Sequence, residues 1–118
     1  DEGDLVSIDL PPTGITTEWT GTLASGDATL ADGEYADVFS FGSSSSVSQI
    51  TAAMESDDFD TYLFLLDAND TVVDSNDDAN GFDAQISTPL TGTPPYRLFA
   101  TSASPNSVGE YRLTITSN

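Results

Sequence analysis

Asp58, Asp60, Asp77, Asp78 and Asp83 fall within one short stretch of the chain. Carboxylate and amide oxygens are the donors a hard cation takes, and calcium accepts roughly 6–8 of them in irregular geometry. Magnesium demands stricter geometry. Zinc is normally held by His or Cys, and the chain has neither. The pattern is not an EF-hand loop, because no Asp-x-Asp-x-Asp-Gly run with a later Glu occurs.

The elements around these residues predict how they converge. Thr61-Tyr-Leu-Phe-Leu-Leu66 reads as a strand covered on both faces. Asp67-Ala-Asn-Asp70 reads as a four-residue turn, and Val72-Val73 begins the return strand. Closing the loop with Leu66 opposite Thr71 sets Leu63 across from Asp74, Thr61 across from Asn76 and Asp60 across from Asp77. Asp78 then lies alongside. Like charges directly opposed on paired strands destabilise them, and a bound calcium ion removes the conflict. Asp58 precedes Asp60 by two residues, and Asp83 follows the Asn80-Gly81 turn. The competing reading is that Asp and Asn stand here because they favour turns. For Asp67, Asn69 and Asp70 that reading is preferred. A second acidic group, Asp32, Glu34 and Asp37 around Gly33, divides between a turn with an exposed strand and a further cation site.

The chain has 118 residues, enough for one domain with one modest core. It carries 20 Asp and Glu against Arg97 and Arg112 alone, a formal net charge of −18. Nucleic acid and anionic membrane are excluded as partners because both repel such a surface. The self-repulsion calls for screening or neutralisation. A salt-rich, halophile-like setting and specific cation binding both answer that need, and they are compatible. No apolar run approaches the ~18 residues that crossing a membrane requires. Cysteine is absent, so there is neither a disulfide framework nor thiol chemistry. The richness in Ser, Thr, Asp, Asn and Gly suits a secreted or cell-surface protein. No signal peptide is recognisable, so export implies one that has been removed or lies outside this stretch of sequence.

The apolar residues alternate or form short runs, with no helical period. Strands are predicted over Leu5–Leu10, Thr17–Leu23, Ala36–Phe41, Val47–Met54, Thr61–Leu66, Thr71–Asp74, Ala84–Ser87, Tyr96–Thr101 and Glu110–Thr116. About nine short strands make an all-β protein, an antiparallel, jelly-roll-like β-sandwich. Tyr96-Arg-Leu98 and Tyr111-Arg-Leu113 share one order. Each puts Tyr and Leu on one face and Arg on the other, as two similar strands of one sheet do. Residues 1–15 read as a strand and linker, a candidate donor strand, and residues 16–118 as the sandwich domain.

Several segments together carry a family resemblance. They are Gly21-Thr-Leu23, Gly33-Glu-Tyr-Ala-Asp-Val-Phe-Ser-Phe41, Phe59-Asp-Thr-Tyr-Leu-Phe-Leu-Leu66, Asn76-Asp-Asp78 and Gly109-Glu-Tyr-Arg-Leu-Thr-Ile115. In this order and spacing, the stretch from Gly21 to Ile115 resembles the bacterial pre-peptidase C-terminal (PPC) domain family. That family includes the collagen-binding domains of secreted collagenases. The resemblance implies a jelly-roll-like β-sandwich in an exported protein, with calcium or a peptidase's substrate as ligand. Asp60, Asp77 and Asp78 match the family's acidic positions. Asp37 matches the Asp that opens its aromatic strand, a calcium ligand in some collagen binders. Pro94-Pro95-Tyr96 stands where the family has a Gly-x-Tyr-Tyr entry, and no row of surface aromatics is legible.

Three function classes divide the field. Catalysis is disfavoured: His, Cys and Lys are all missing, and a carboxylate pair at a hairpin end leaves little room for a substrate cleft. The preferred reading is a calcium-stabilised extracellular module for substrate or surface binding, an accessory domain of a secreted protein. Trp19, Tyr35, Tyr62 and Tyr96 are the aromatics available for such a surface, although Tyr62 reads as core. The alternative is a filament or surface-assembly subunit. Residues 4–10 alternate, with Val6, Ile8 and Leu10 on one face, and Pro11-Pro12 sets them apart. Such a strand completes its own sheet or adds to the edge of another copy. Asn69-Asp-Thr71 is a glycosylation sequon, a triplet common by chance.

Overall fold

A computed structural model describes residues 5–10, 12–24, 28–29, 33–42, 47–76, 83–103 and 107–118. Among these residues ten strands form: β1 (Leu5–Ser7), β2 (Thr16–Leu23), β3 (Ala28–Thr29), β4 (Tyr35–Phe41), β5 (Gln49–Glu55), β6 (Thr61–Leu66), β7 (Val72–Asn76), β8 (Ala84–Pro89), β9 (Tyr96–Ser102) and β10 (Gly109–Ser117). They build two sheets. The first has the order β1-β4-β9-β6-β7, with β3 also on β4; the second has the order β2-β10-β5-β8. Every strand pairing is antiparallel except β1 with β4.

Period-2 alternation decides which side chains meet between the sheets. In β10, Tyr111, Leu113 and Ile115 turn inward and are buried, while Glu110 and Arg112 are exposed. Leu63 and Leu65 of β6, Tyr96 and Leu98 of β9, Phe39 and Phe41 of β4, Ile50, Ala52 and Met54 of β5 and Ala84 and Ile86 of β8 share that core. Burying one such large apolar side chain contributes about 1.5–3 kcal/mol. The outer face of the first sheet carries a smaller cluster. Ala36, Val38 and Phe99 are buried there, with Phe64 and Leu66 packed against them.

Four expectations are corrected. The hairpin β6–β7 closes through Asp67 and Thr71: Asp67 N donates to Thr71 O at 3.0 Å. Its loop is therefore three residues long, and Leu63 pairs with Asn76 rather than Asp74. The cause is local. Asp67 Oδ1 accepts from Asn69 N and Thr71 N at 2.9 and 3.0 Å, and Asp70 takes a left-handed φ of 62°. Val73 is then an extra residue between the Leu65–Asp74 and Leu66–Val72 pairs, a β-bulge. Asp74 and Asn76 therefore move by two residues and keep their face, whereas Val72 comes opposite the outward Leu66 and is exposed, and Val73 packs against the core. The opposition of Thr61 to Asn76, and of Asp60 to Asp77, does not follow from this register.

The second correction concerns the two Tyr-Arg-Leu strands. Each does put Tyr and Leu inward and Arg outward, but β9 and β10 belong to different sheets. Third, Tyr62 is half-buried on the outer face beside Phe64, not in the core. The outer side of β6 is thus only partly covered. Fourth, β1 ends at Ser7 rather than Leu10, while Ile8 and Leu10 leave the strand and pack against the core.

Candidate metal centre

The strand pairings place four of the candidate carboxylates at one end of the sandwich. β4, β6, β8 and β10 begin there, and β2, β5, β7 and β9 finish there. Asp58 and Asp60 lie in the β5–β6 connection, Asp83 just ahead of β8, and Asp37 near the start of β4.

Thr61 organises this end. It is fully buried. Its Oγ1 donates to Met54 O at 3.1 Å and accepts from Ala84 N at 2.7 Å. One hydroxyl thus binds β6 to β5 and β8, and it brings the chain at Asp83 close to the chain at Asp60. Asn76 Oδ1 accepts from Gln85 N at 3.2 Å, which draws the end of β7 to the same place. Asp60 O accepts from Ala103 N at 2.9 Å, and its Oδ1 is shielded from solvent. The donors gathered here are all oxygen, the set a hard cation takes. Asp77 and Asp78 follow Asn76 directly in sequence and lie outside the described residues.

Asp58 turns a different way. Its Oδ2 accepts from Glu110 N at 3.0 Å. Ser56 Oγ donates to Glu110 O at 2.7 Å and accepts from Asp58 N at 3.0 Å. The loop therefore grips the start of β10. Gly109 is required there: its φ is 144°, and a Cβ on it would stand 2.3 Å from Asp58 Cβ. Asp37 is drawn between the sheets, where Oδ2 accepts from the Tyr111 hydroxyl at 2.5 Å. Among the described residues no three acidic side chains assemble into one metal-binding group. The convergence is one of chain ends, with Asp60, Asp83 and Asn76 nearest the Thr61 hub.

The turn at the opposite end is held by its own backbone hydrogen bonds to Asp67. Its three backbone donors, Thr71 foremost, hold the Asp67 carboxyl below its ordinary pKa of 3.8, against the opposing effect of desolvation. Burial, and then the nearby Asp67 charge, push the Tyr96 hydroxyl up. Arg97 pairs with Asp70 and lies 5.8 Å from the Phe99 ring centre. Asp67, Asn69 and Asp70 thus have the turn role the sequence assigns them.

Sequence reasoning found the aspartates and missed Thr61 and Ser56. A lone hydroxyl in a strand or loop has no sequence signature, and its partners here are backbone groups of distant strands.

No family model and no curated protein sequence matches the chain. Solved structures do. The pre-peptidase C-terminal domain of a Bacillus anthracis collagenase superimposes with a TM-score of 0.67 and 19% identity, over 95% of this chain and 94% of that one. PliG of Salmonella Typhimurium, a periplasmic inhibitor of g-type lysozyme, gives a TM-score of 0.62 at 16% identity, over 98% and 99%. PliG of Aeromonas hydrophila, also a periplasmic inhibitor of g-type lysozyme, gives 0.56 at 8% identity, over 98% of both chains. No helix among the described residues is long and apolar enough to cross a membrane. The chain is a two-sheet β-sandwich with the fold of a pre-peptidase C-terminal domain.

Proposed function

We propose that this chain is a non-catalytic, calcium-stabilised β-sandwich module that works outside the cytoplasm, as an accessory or binding domain for a substrate or surface. The observation that carries this is the convergence of Asp60, Asn76 and Asp83 on the Thr61–Ala84 hydrogen bond, with Oδ1 of Asp60 out of solvent. Residues bearing oxygen donors come to this place from two connections, β5–β6 and β7–β8, and Asp77 and Asp78 adjoin Asn76 in sequence. A calcium ion held there would tie the β5–β6 loop to the segment between β7 and β8 and offset part of the −18 charge. The lack of His, Cys and Lys supports a non-catalytic role. Each of the three solved structures matches over nearly its whole length, which supports a self-contained module. Their descriptions, a collagenase domain and two periplasmic inhibitors, support an exported location.

The test is thermal unfolding in calcium, in magnesium and in chelator, at constant ionic strength. Calcium should raise Tm well beyond magnesium. Equal curves in all three would refute a specific calcium site and leave only general screening.

A further inference from the structure

β1 closes part of the sandwich by a small set of contacts. It pairs in parallel with β4, Leu5–Ser7 against Val38–Ser40, and Ile8 N donates to Ser40 O at 2.8 Å. On the same edge of β4, β3 pairs only with Tyr35 and Ala36. Among the described residues, then, the edge at Val38–Ser40 is covered by β1 alone. Beyond β1, Ile8 and Leu10 pack against the main core.

The link from this segment to β2 is short and anchored. Gly14 N donates to Ser117 O at 2.7 Å, and Thr13 bridges Ser117. Pro12 and Ile15 close a turn, Ile15 N donating to Pro12 O at 2.9 Å, with Gly14 at a φ of 86°. That positive φ is what a type II turn requires at its third residue. Thr13 and Gly14 are thus fixed to the end of β10 in the second sheet, while Leu10 is fixed on the core. Only Pro11 and Pro12 lie between them in sequence. Proline at both positions narrows the conformations that can span this gap, and a short hinge under strain in the closed form invites exchange of the hinged element between copies.

We propose that residues 5–10 exchange between copies of this chain. The segment of one copy pairs in parallel with Val38–Ser40 of the next, and its Ile8 and Leu10 fill the places they fill in the closed chain. Because exchange reproduces the closed chain's contacts, the balance is set by hinge relief against the entropy of association, and so by concentration. Reciprocal exchange closes a dimer, whereas head-to-tail exchange runs on as a polymer. The charge of −18 opposes the approach of two copies. Exchange is therefore favoured by salt, at roughly 1 M rather than 0.1 M, where the Debye length falls from about 10 to about 3 Å. The inference is independent of calcium.

The test uses the pair Ser7 and Ser40, which are directly opposite, in a chain with no cysteine of its own. The double variant Ser7→Cys/Ser40→Cys is folded in high salt from micromolar to millimolar concentration, oxidised, and run without reductant. Exchange gives disulfide-linked dimers and ladders whose share rises several-fold with concentration. Only intrachain-bonded monomer at every concentration overturns it. In parallel, the unmodified chain in mixed 14N and 15N forms is followed by native mass spectrometry, beside a variant with a longer Gly/Ser hinge after Leu10. Mixed oligomers that drop several-fold with the longer hinge support exchange. Wild-type monomer throughout, or oligomers indifferent to hinge length, overturn it.

Discussion

The Tyr111 hydroxyl donates to Asp37 Oδ2 at 2.5 Å, tying β10 of one sheet to β4 of the other. The tie depends on a third residue. Gly21 stands opposite Tyr111 on β2, and a Cβ there would lie 2.5 Å from the Tyr111 oxygen. Tyr111→Phe leaves the half-buried carboxylate one donor short and should cost about 2 kcal/mol, since hydrogen bonds to charged groups are the stronger ones. Gly21→Ala should cost a similar ~1–3 kcal/mol by overpacking. Urea unfolding of both variants checks this; a wild-type midpoint for Tyr111→Phe would show that the tie contributes nothing.

Thr61→Val keeps the shape of a fully buried residue and removes its hydroxyl. Met54 O loses a donor and Ala84 N an acceptor. Each buried group left wanting costs about 1–3 kcal/mol. Thr61→Ser should recover most of the loss. Amide exchange at Ala84 is the local readout, and it should accelerate in the Val variant before global unfolding does.

Asp58 separates a clamp from a ligand. Asp58→Asn keeps an oxygen to accept from Glu110 N, so metal-free stability should change by less than about 1 kcal/mol, whereas Asp58→Ala should cost about 1–3 kcal/mol. Calcium titrations of the two variants then isolate ligation. An unchanged affinity in Asp58→Asn assigns Asp58 to the β10 clamp alone.

Calcium at a hundredfold excess over its Kd should add about 2.7 kcal/mol of stability. Asp60→Asn should lose most of that increment, while Asp70→Asn, at the far end of the sandwich, should keep it. Equal losses in both would mean that calcium acts on the overall charge rather than at a site.

Acid should act in two opposed phases. From neutral pH downward, protonating surface carboxylates relieves the repulsion of 20 acidic groups and raises stability. The Asp67 carboxyl is held below its unfolded value of 3.8. Its stabilisation is therefore complete above that value and lost as pH falls through the lower folded pKa. Asp67→Asn should flatten the loss below pH 3.8 without altering the rise above it, as read by Tm across a pH series. A decline equally steep in the variant would show that other carboxylates govern acid unfolding.

The sequence by itself determined most of the strands, because alternation and short apolar runs bounded by Gly, Pro, Asn and Asp are local information, though the two-residue β3 was not among them. Thr61–Leu66 is found where its short apolar run, bounded by Asp60 and Asp67, put it. The sequence also determined the chemistry on offer, oxygen donors without His, Cys or Lys, since residue types are not altered by folding. Tertiary structure decided the partners. The bulge at Val73 and the left-handed Asp70 moved the β6–β7 register, by two residues beyond the bulge, and the equally apolar neighbours Val72 and Val73 carry no local signal of which one turns to the core. The Tyr96 and Tyr111 strands look alike locally, yet long-range pairing sent them to opposite sheets. Asp58 and Glu110 are 52 residues apart, and only the packing of two connections at one end of the sandwich brings them together. Which carboxylate grips a strand is set by such distant backbone groups, and no local pattern encodes them.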